Sequence, residues 1–294
     1  MSMSFIQFAR AHGLEIDPAR LYPSEKIKRC GTTEKPRSSN GAYFWDGQRG
    51  WVFNWSGEAK VQWFADQNAQ PWTQTEKDAW RAKRQAQRIQ QEQGYQRAAQ
   101  QAAEMLRSAT PGEHSYLHAK GFPLAQGLVA PDGALLVPMR HHQTNALQGV
   151  QAISWLEDER RHEKKMQPYG MRAAGAVLRM GPSKAAETVF VEGYATGLSV
   201  LEALRGIGIQ AAVMVTFSAH NLVLVAQSVT GRAYVFANHD KSGTGQDAAE
   251  QTGLPWCMSP VEGEDANDLH QRGGLLAVCQ KIMNVRRAGA GSRT

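Results

Sequence analysis

The spacing of apolar positions changes character along the chain, and each change predicts a different structure. Phe5, Ile6, Phe8, Ala9 and Ala11 recur at helical intervals and stop at Gly13, which predicts a short amphipathic helix ended by a glycine. Pro18–Pro23 reads as a connector and Lys26–Cys30 as a strand. Gly41–Trp45 (GAYFW) and Trp51–Trp55 (WVFNW) are aromatic runs on either side of Asp46-Gly47, so they predict a hairpin with a somewhat extended loop. Thr75–Ala109 is rich in Gln, Ala and Arg, starts at a cap-like Thr75-x-x-Asp78, and is interrupted only by Gly94. It predicts a long, largely solvated helix linking two domains, ended at Pro111-Gly112.

From Glu113 onward short β-branched runs alternate with helical ones. Ser115–Lys120 predicts a helix stopped by Gly121. Ala134–Pro138, Leu147–Ile153 and Ala176–Met180 predict strands, with a charged hairpin or loop over Glu157–Lys165. Thr188–Val191 is a buried strand that runs into Glu192-Gly193, and Leu198, Leu201 and Leu204 mark the helix that begins near Ala195. Ala211–Val215 precedes a helix over Asn221–Ser228, with His220 at its start. Ala233–Phe236 runs into Asn238-His239-Asp240, a helix over Gln246–Gln251 follows, and Trp256–Met258 is an edge strand. Strands alternating with helices imply an α/β fold with a mainly parallel sheet and flanking helices. A small mixed α+β segment precedes it, and an N-terminal α+β segment sits on the long helical linker.

In an open α/β sheet the C-terminal edge is where ligands bind. Glu192, Asp240 and the Asp265/Asp268 pair all follow predicted strands, so the pattern brings carboxylates to one such edge. Hard divalent cations take oxygen ligands, commonly one or two carboxylates with water and substrate phosphates. Two cations so held position an in-line phosphoryl transfer. Any one of these acids alone is equally a solvated loop residue.

Charge adds a partner class. The formal net charge is +6 and the pI about 9.3, which favours a polyanion. Lys35 and Arg37 flank the aromatic segment that holds Trp51 and Trp55, a mixture that suits single-stranded nucleic acid, where bases stack on rings and cations meet phosphates. The same rings also suit the core of a small sheet. Arg81 and Arg84 give the long helix a basic face, which is also what a solvated helix shows. Three scattered cysteines argue against a disulfide framework and for a reducing compartment. No apolar run reaches the length of a membrane span and no signal-peptide pattern opens the chain, so the expectation is a cytoplasmic protein without a membrane partner.

VEGYATGLSVLEAL, FANHDKSGTG and GEDANDL, in that order, resemble the three successive motifs of a Toprim domain. YLHAKGF, GALLVPMR, LQGVQAI, EKKMQPYG and AVLRMG resemble the basic subdomain that precedes Toprim in DnaG-type primases of plasmids and phages. The resemblance covers roughly Glu113–Gly274. It implies a domain order of an aromatic N-terminal domain (1–73), a helical linker (74–110), a basic subdomain (111–185), a Toprim domain (186–285) and a disordered tail (286–294). It further implies synthesis of short primers on single-stranded DNA from nucleoside triphosphates with Mg²⁺ or Mn²⁺. Glu192 matches the Toprim glutamate, Asp240 the second acid of Asp-x-Asp, and Asp265 the first acid of the third motif. Arg140, Lys164 and Lys165 match basic positions that face nucleotide or template.

Asn238 stands where the family has the first aspartate of Asp-x-Asp. It offers an amide oxygen to a cation but no charge. Asn267 stands where replicative primases carry another acid, with Asp268 beside it. Cys30 lacks the paired Cys-x-x-Cys of a zinc ribbon. There is no Walker A loop, so a replicative helicase would be a separate partner. Two further readings remain open: a Toprim-like protein with a weakened site that binds single-stranded or primed DNA for a mobile element, and a Toprim nuclease, against which the basic subdomain argues.

Overall fold

The computed structural model describes residues 3–57, 60–66, 73–182 and 184–291. Its contacts divide the chain into two units, Met1–Arg84 and Gln85–Thr294. In the first unit, helix α1 (Phe5–Ala11) opens with a capping box between Ser4 and Gln7. Five strands follow in an antiparallel sheet of sequential order: β1 (Leu14–Glu15), β2 (Ser24–Thr32), β3 (Gly41–Trp45), β4 (Arg49–Asn54) and β5 (Gln62–Ala65). Strand alternation sends Tyr43, Val52 and Phe64 to one face, where they bury against Phe5 and Leu14. The rings of Phe5 and Trp45 stack there with centroids 4.6 Å apart.

Helix α2 (Gln74–Ser108) begins one residue before the cap-like Thr75. The expectation of a largely solvated linker holds only for its first half. Ala98 and Ala102 are buried, and Ala102 packs on Ala134, Leu136 and Val150, because alanines let a helix approach a sheet closely.

The second unit continues with β6 (Thr110–Gly112), α3 (Ser115–Ala119), β7 (Gly127–Val129), β8 (Leu135–His141), β9 (Leu147–Leu156), β10 (Arg161–Gln167), β11 (Ala176–Met180), β12 (Glu187–Val191), α4 (Tyr194–Gly206), β13 (Ala211–Val215), α5 (Ala219–Ala226), β14 (Arg232–Ala237), α6 (Thr244–Thr252), β15 (Trp256–Met258) and α7 (Ala266–Gly291). Its strands make one sheet in the order β10-β9-β8-β11-β13-β12-β14-β15, with β7 and β6 added beside β8. Only β13, β12, β14 and β15 are parallel to one another. The sheet as a whole is mixed: the strands from Glu187 onward, where a mainly parallel sheet is expected, are parallel, and the antiparallel strands come before them. The antiparallel half is not a separate layer, because β11 bonds to β8 on one edge and to β13 on the other.

Asn221 fastens this junction. Its side chain accepts from the Gly175 amide at 2.8 Å and donates to the carbonyls of Ala176 at 2.7 Å and Thr216 at 2.8 Å. Helix α5 is capped by the Ser218 hydroxyl, not started by His220.

The chain beyond Arg286 was expected to be disordered, yet α7 runs to Gly291; the remaining three positions of the predicted tail lie outside the described residues. Arg286 itself explains the difference. It grips the buried Glu187 with two hydrogen bonds of 2.8 and 2.9 Å, and Arg232 stands 3.6 Å from the same carboxylate. These bonds, Arg286 first, hold the Glu187 carboxyl below the usual carboxylate range. A depressed folded-state pKa contributes stability that is complete above the unfolded glutamate pKa and is lost as pH falls through the folded value. Thermal melts of Arg286→Ala are expected to show a loss of about 2 kcal/mol at neutral pH, and the gap to the parent should narrow as pH drops below about 4. Among the described residues, no helix is long and apolar enough to cross a membrane.

Candidate active site

Parallel strands point their C-terminal ends the same way, so the residues after β12 and β14 share an edge. Glu192 follows β12 directly. Its carbonyl accepts the Phe217 amide at 2.9 Å. Phe217 adopts φ 63°, a left-handed conformation that a bulky residue enters only under constraint. The loop after β13 thus clamps the backbone of Glu192. The Glu192 carboxylate is half-buried and accepts no hydrogen bond from a described residue. Burial raises its pKa, the charges of Asp240 and Asp265 raise it further, and Lys164 opposes them.

Asp240 has the reverse environment. Its Oδ1 accepts from the Ser242 hydroxyl, from the Ser242 amide at 3.1 Å and from the Thr244 amide at 3.2 Å, and its Oδ2 accepts from the Gly245 amide at 2.8 Å. The Ser242 hydroxyl first, then these amides, hold its carboxyl below the ordinary aspartate value. Gly245 makes the cradle possible. A Cβ there would sit 2.3 Å from the Asn238 carbonyl oxygen and 3.0 Å from Asp240 Oδ2. Two neighbouring carboxyls are thus driven apart, one toward protonation and one toward permanent charge.

Asp265 and Asp268 form a capping box at the start of α7. Asp265 Oδ1 accepts from the amides of Asn267 at 2.6 Å and Asp268 at 3.0 Å, and Asp268 Oδ2 accepts from the Asp265 amide at 3.1 Å. The Thr196 hydroxyl of α4 donates to Asp265 Oδ2 at 2.8 Å. These acids therefore serve the helix start as well as the site's field.

Lys164 faces the acids from the antiparallel half. Its partner across the β9–β10 ladder is Ile153, which packs with Tyr116 and Ala195 on the α3–α4 side of the sheet. The ammonium lies 5.2 Å from the Tyr116 ring centre. Surrounding protein holds its pKa below the ordinary lysine value despite its accessible surface, while Asp265, Asp268 and Glu192 pull the other way. Lys165, one residue on, points to the other face. It stands beside Ala152 on the α2 side and pairs with Glu163 at 2.6 Å. Arg140 shares the face of Leu136 and donates to the Asn145 carbonyl at 3.1 Å. Of the three expected cations, only Lys164 meets the acids.

The remaining expected residues belong to the first unit. Lys35 and Arg37 lie in the β2–β3 loop, Trp51 is in β4, and Trp55 follows it. Arg81 pairs with Asp78 at 3.3 Å, and the Arg84 guanidinium lies 4.8 Å from the Trp80 ring centre.

A cation would find a partial donor set here. Among the described residues, no three of His, Cys, Asp and Glu stand close enough to enclose a metal. Yet Asn238 Oδ1 is buried without a hydrogen-bond partner among the described residues, two positions before Asp240. One or two carboxylates with an amide oxygen match what Mg²⁺ or Mn²⁺ accepts when water and substrate phosphates complete the shell.

No protein-family model matches the chain. No curated protein matches it. Among solved structures it is similar to a DnaG catalytic core, at 17% identity and TM-score 0.36 over 51% of this chain and 52% of that one. It is also similar to a DnaG primase catalytic domain bound to single-stranded DNA, at 15% identity and TM-score 0.38 over 66% of this chain and 73% of that one. The chain thus spans about half of the first of these structures.

Sequence reasoning missed Lys120. Its ammonium lies 3.6 Å from Asp268 Oδ1 and its carbonyl accepts from Asn267 Nδ2 at 2.8 Å. Lys120-Gly121 in YLHAKGF was legible as a helix stop, and Gly121 has φ 85° as a stop requires. Nothing in the spacing ties it to a residue about 150 positions later. Tyr116, 2% exposed beneath Lys164, has its pKa pushed up to about 12, chiefly by burial.

Proposed function

We propose that the strand-end site performs nucleotidyl transfer, and that the protein is a primase-like enzyme of the mobile-element kind. It would join nucleoside triphosphates into short primers on single-stranded DNA. The observation that carries this is the pairing of Glu192 with Asp240, one carboxyl raised and its neighbour lowered in pKa. Adjacent groups split in this way divide proton handling from fixed charge. The order of the Toprim-like and primase-like motifs adds direction.

Each residue then has a task. Glu192, whose burial raises its pKa, turns its open carboxylate to a cation or takes part in proton transfer. Asp240 stays ionised in its amide cradle. Lys164 and Lys120 supply positive charge on the α3 side, where a triphosphate or template phosphate would be neutralised. Mg²⁺ or Mn²⁺ held by Glu192, Asp240 and Asn238 Oδ1 would supply charge stabilisation to the transferring phosphoryl group. Such chemistry belongs in the cytoplasm with its template and triphosphates, and a replicative helicase would be a separate protein.

Primer synthesis tests the reading. The protein is incubated with single-stranded DNA, labelled nucleoside triphosphates and Mg²⁺ or Mn²⁺. Short products from the parent, absent with Glu192→Ala, support it. No product from the parent or from Asn238→Asp, under conditions where DNA binds, would sink it.

A second reading is a DNA-binding module for a mobile element. Asn238 favours it, since an amide brings no charge to a cation. Asn238→Asp separates the two. It restores a charge beside Asp240 and is expected to tighten Mn²⁺ binding by roughly tenfold, read by calorimetry, with primer yield rising in step if the site is catalytic.

A further inference from the structure

The outer face of the first unit's sheet was not accounted for by the core. Register places Phe44 opposite Trp51, and Trp51 opposite Trp63, so three rings line up across β3, β4 and β5. Phe53 stands one pleat further along the same face of β4, opposite Ala42. Trp55 meets Phe53 edge-on with centroids 4.7 Å apart. None of these rings joins the cluster around Phe5, which occupies the other face. Trp63 is 69% exposed and Trp55 49%. Sheet strands lie about 4.8 Å apart, so Phe44, Trp51 and Trp63 form one row of rings across the outer face.

Cations border this face. Arg29 pairs with Ala42 and so lies on the outer side. Its guanidinium stacks on Trp55 at 3.8 Å from the ring centre and donates to the Ser39 carbonyl, which draws the β2–β3 loop beside the rings. That loop carries Lys35 and Arg37. Between Lys26 and Asn40 the chain has five cations and one acid, Glu34. Aromatic faces beside fixed cations are what a single strand with unpaired bases and phosphates requires.

We infer that the outer sheet face, Phe44–Trp51–Trp63 with Phe53, Trp55 and Arg29, is a stacking platform for single-stranded DNA. Affinity comes from ring stacking, and Arg29, Lys35 and Arg37 follow the backbone. The choice of DNA as ligand rests on the proposed function. The platform's geometry does not.

The test is fluorescence anisotropy of the full chain with a labelled thymidine oligonucleotide of about 12 nucleotides, without nucleotide or divalent cation. Trp63→Ala removes an exposed ring, so the melting temperature should stay at the parent value, and affinity should fall roughly tenfold. Trp51→Ala should do the same, and Arg29→Ala should lower affinity and flatten its salt dependence. Unchanged affinity in Trp63→Ala overturns the platform. So does a self-association that Trp63→Ala abolishes, because the rings would then be covered by a second copy. Tighter binding of the matching ribonucleotide strand overturns the assignment to DNA. Loss of DNA affinity in Trp63→Ala with no primer synthesis by the parent leaves the platform standing and removes the proposed catalysis.

Discussion

Glu192→Ala is expected to lower primer synthesis by roughly 10²–10⁴-fold while the fold survives. The sign of its effect on stability distinguishes a functional carboxylate from a structural one. The folded-state pKa of Glu192 is raised, chiefly by burial. A raised carboxyl costs the fold stability above that pKa, where its charge is forced into a half-buried place beside Asp240. Alanine removes the cost, so the variant's melting temperature at neutral pH should equal or exceed the parent's. Mg²⁺ or Mn²⁺ should raise the parent's melting temperature by binding the native state, and should do so far less in Glu192→Ala. Activity of the parent should climb with pH through the raised Glu192 value, because a proton and a cation compete for one carboxylate. Glu192→Gln should show neither the climb nor the cation shift. A melting temperature that drops sharply in Glu192→Ala would recast the residue as structural.

What could be read from the sequence, and what could not, divides along sequence distance. Strand-to-acid junctions are local. Val191 leads to Glu192 and Ala237 to Asn238 within one or two residues, so period and composition were enough to find them. Bounds drifted where a ladder partner decides them: β9 runs through Trp155 because β10 pairs with it to Leu156. The face of a basic residue was also hidden. Lys164 and Lys165 are equivalent in composition, and only the register of β10 on β9 turns one toward Tyr116 and the other toward α2. The mixed sheet was hidden for the same reason. Nothing near Ala176 says that β11 will bond to both β8 and β13. Asn221 read as an ordinary helix residue, and its three backbone partners lie at positions 175, 176 and 216. Buried polar staples of this kind join segments that sequence windows never see together.

Asn267 is where resemblance and structure point in opposite directions. By motif alone, Asn267→Asp would restore an acid of the third Toprim-like motif and strengthen the site. The structure leads to the opposite expectation. Asn267 is fully buried. Its Nδ2 donates to the Lys120 carbonyl at 2.8 Å and to Ser199 Oγ at 3.1 Å, and its Oδ1 accepts from Gln271 at 2.9 Å. One amide thus ties α7 to α4 and to the end of α3, the segment that carries Lys120. An aspartate has no donor for the Lys120 carbonyl and would set a carboxylate oxygen against it. It would also add a third negative charge within two residues of Asp265 and Asp268. The cost is about 3 kcal/mol. For a unit of this size that lowers the melting temperature by roughly 6–12 °C, read as the transition of the unit that contains α7. Primer synthesis should fall with it, because Lys120 loses its anchor beside Asp268. Asn267→Ala should cost somewhat less, since it abandons the same partners without burying a charge. An Asn267→Asp protein as stable as its parent, with tighter cation binding, would mean that this side chain turns toward the acids and that the staple is dispensable.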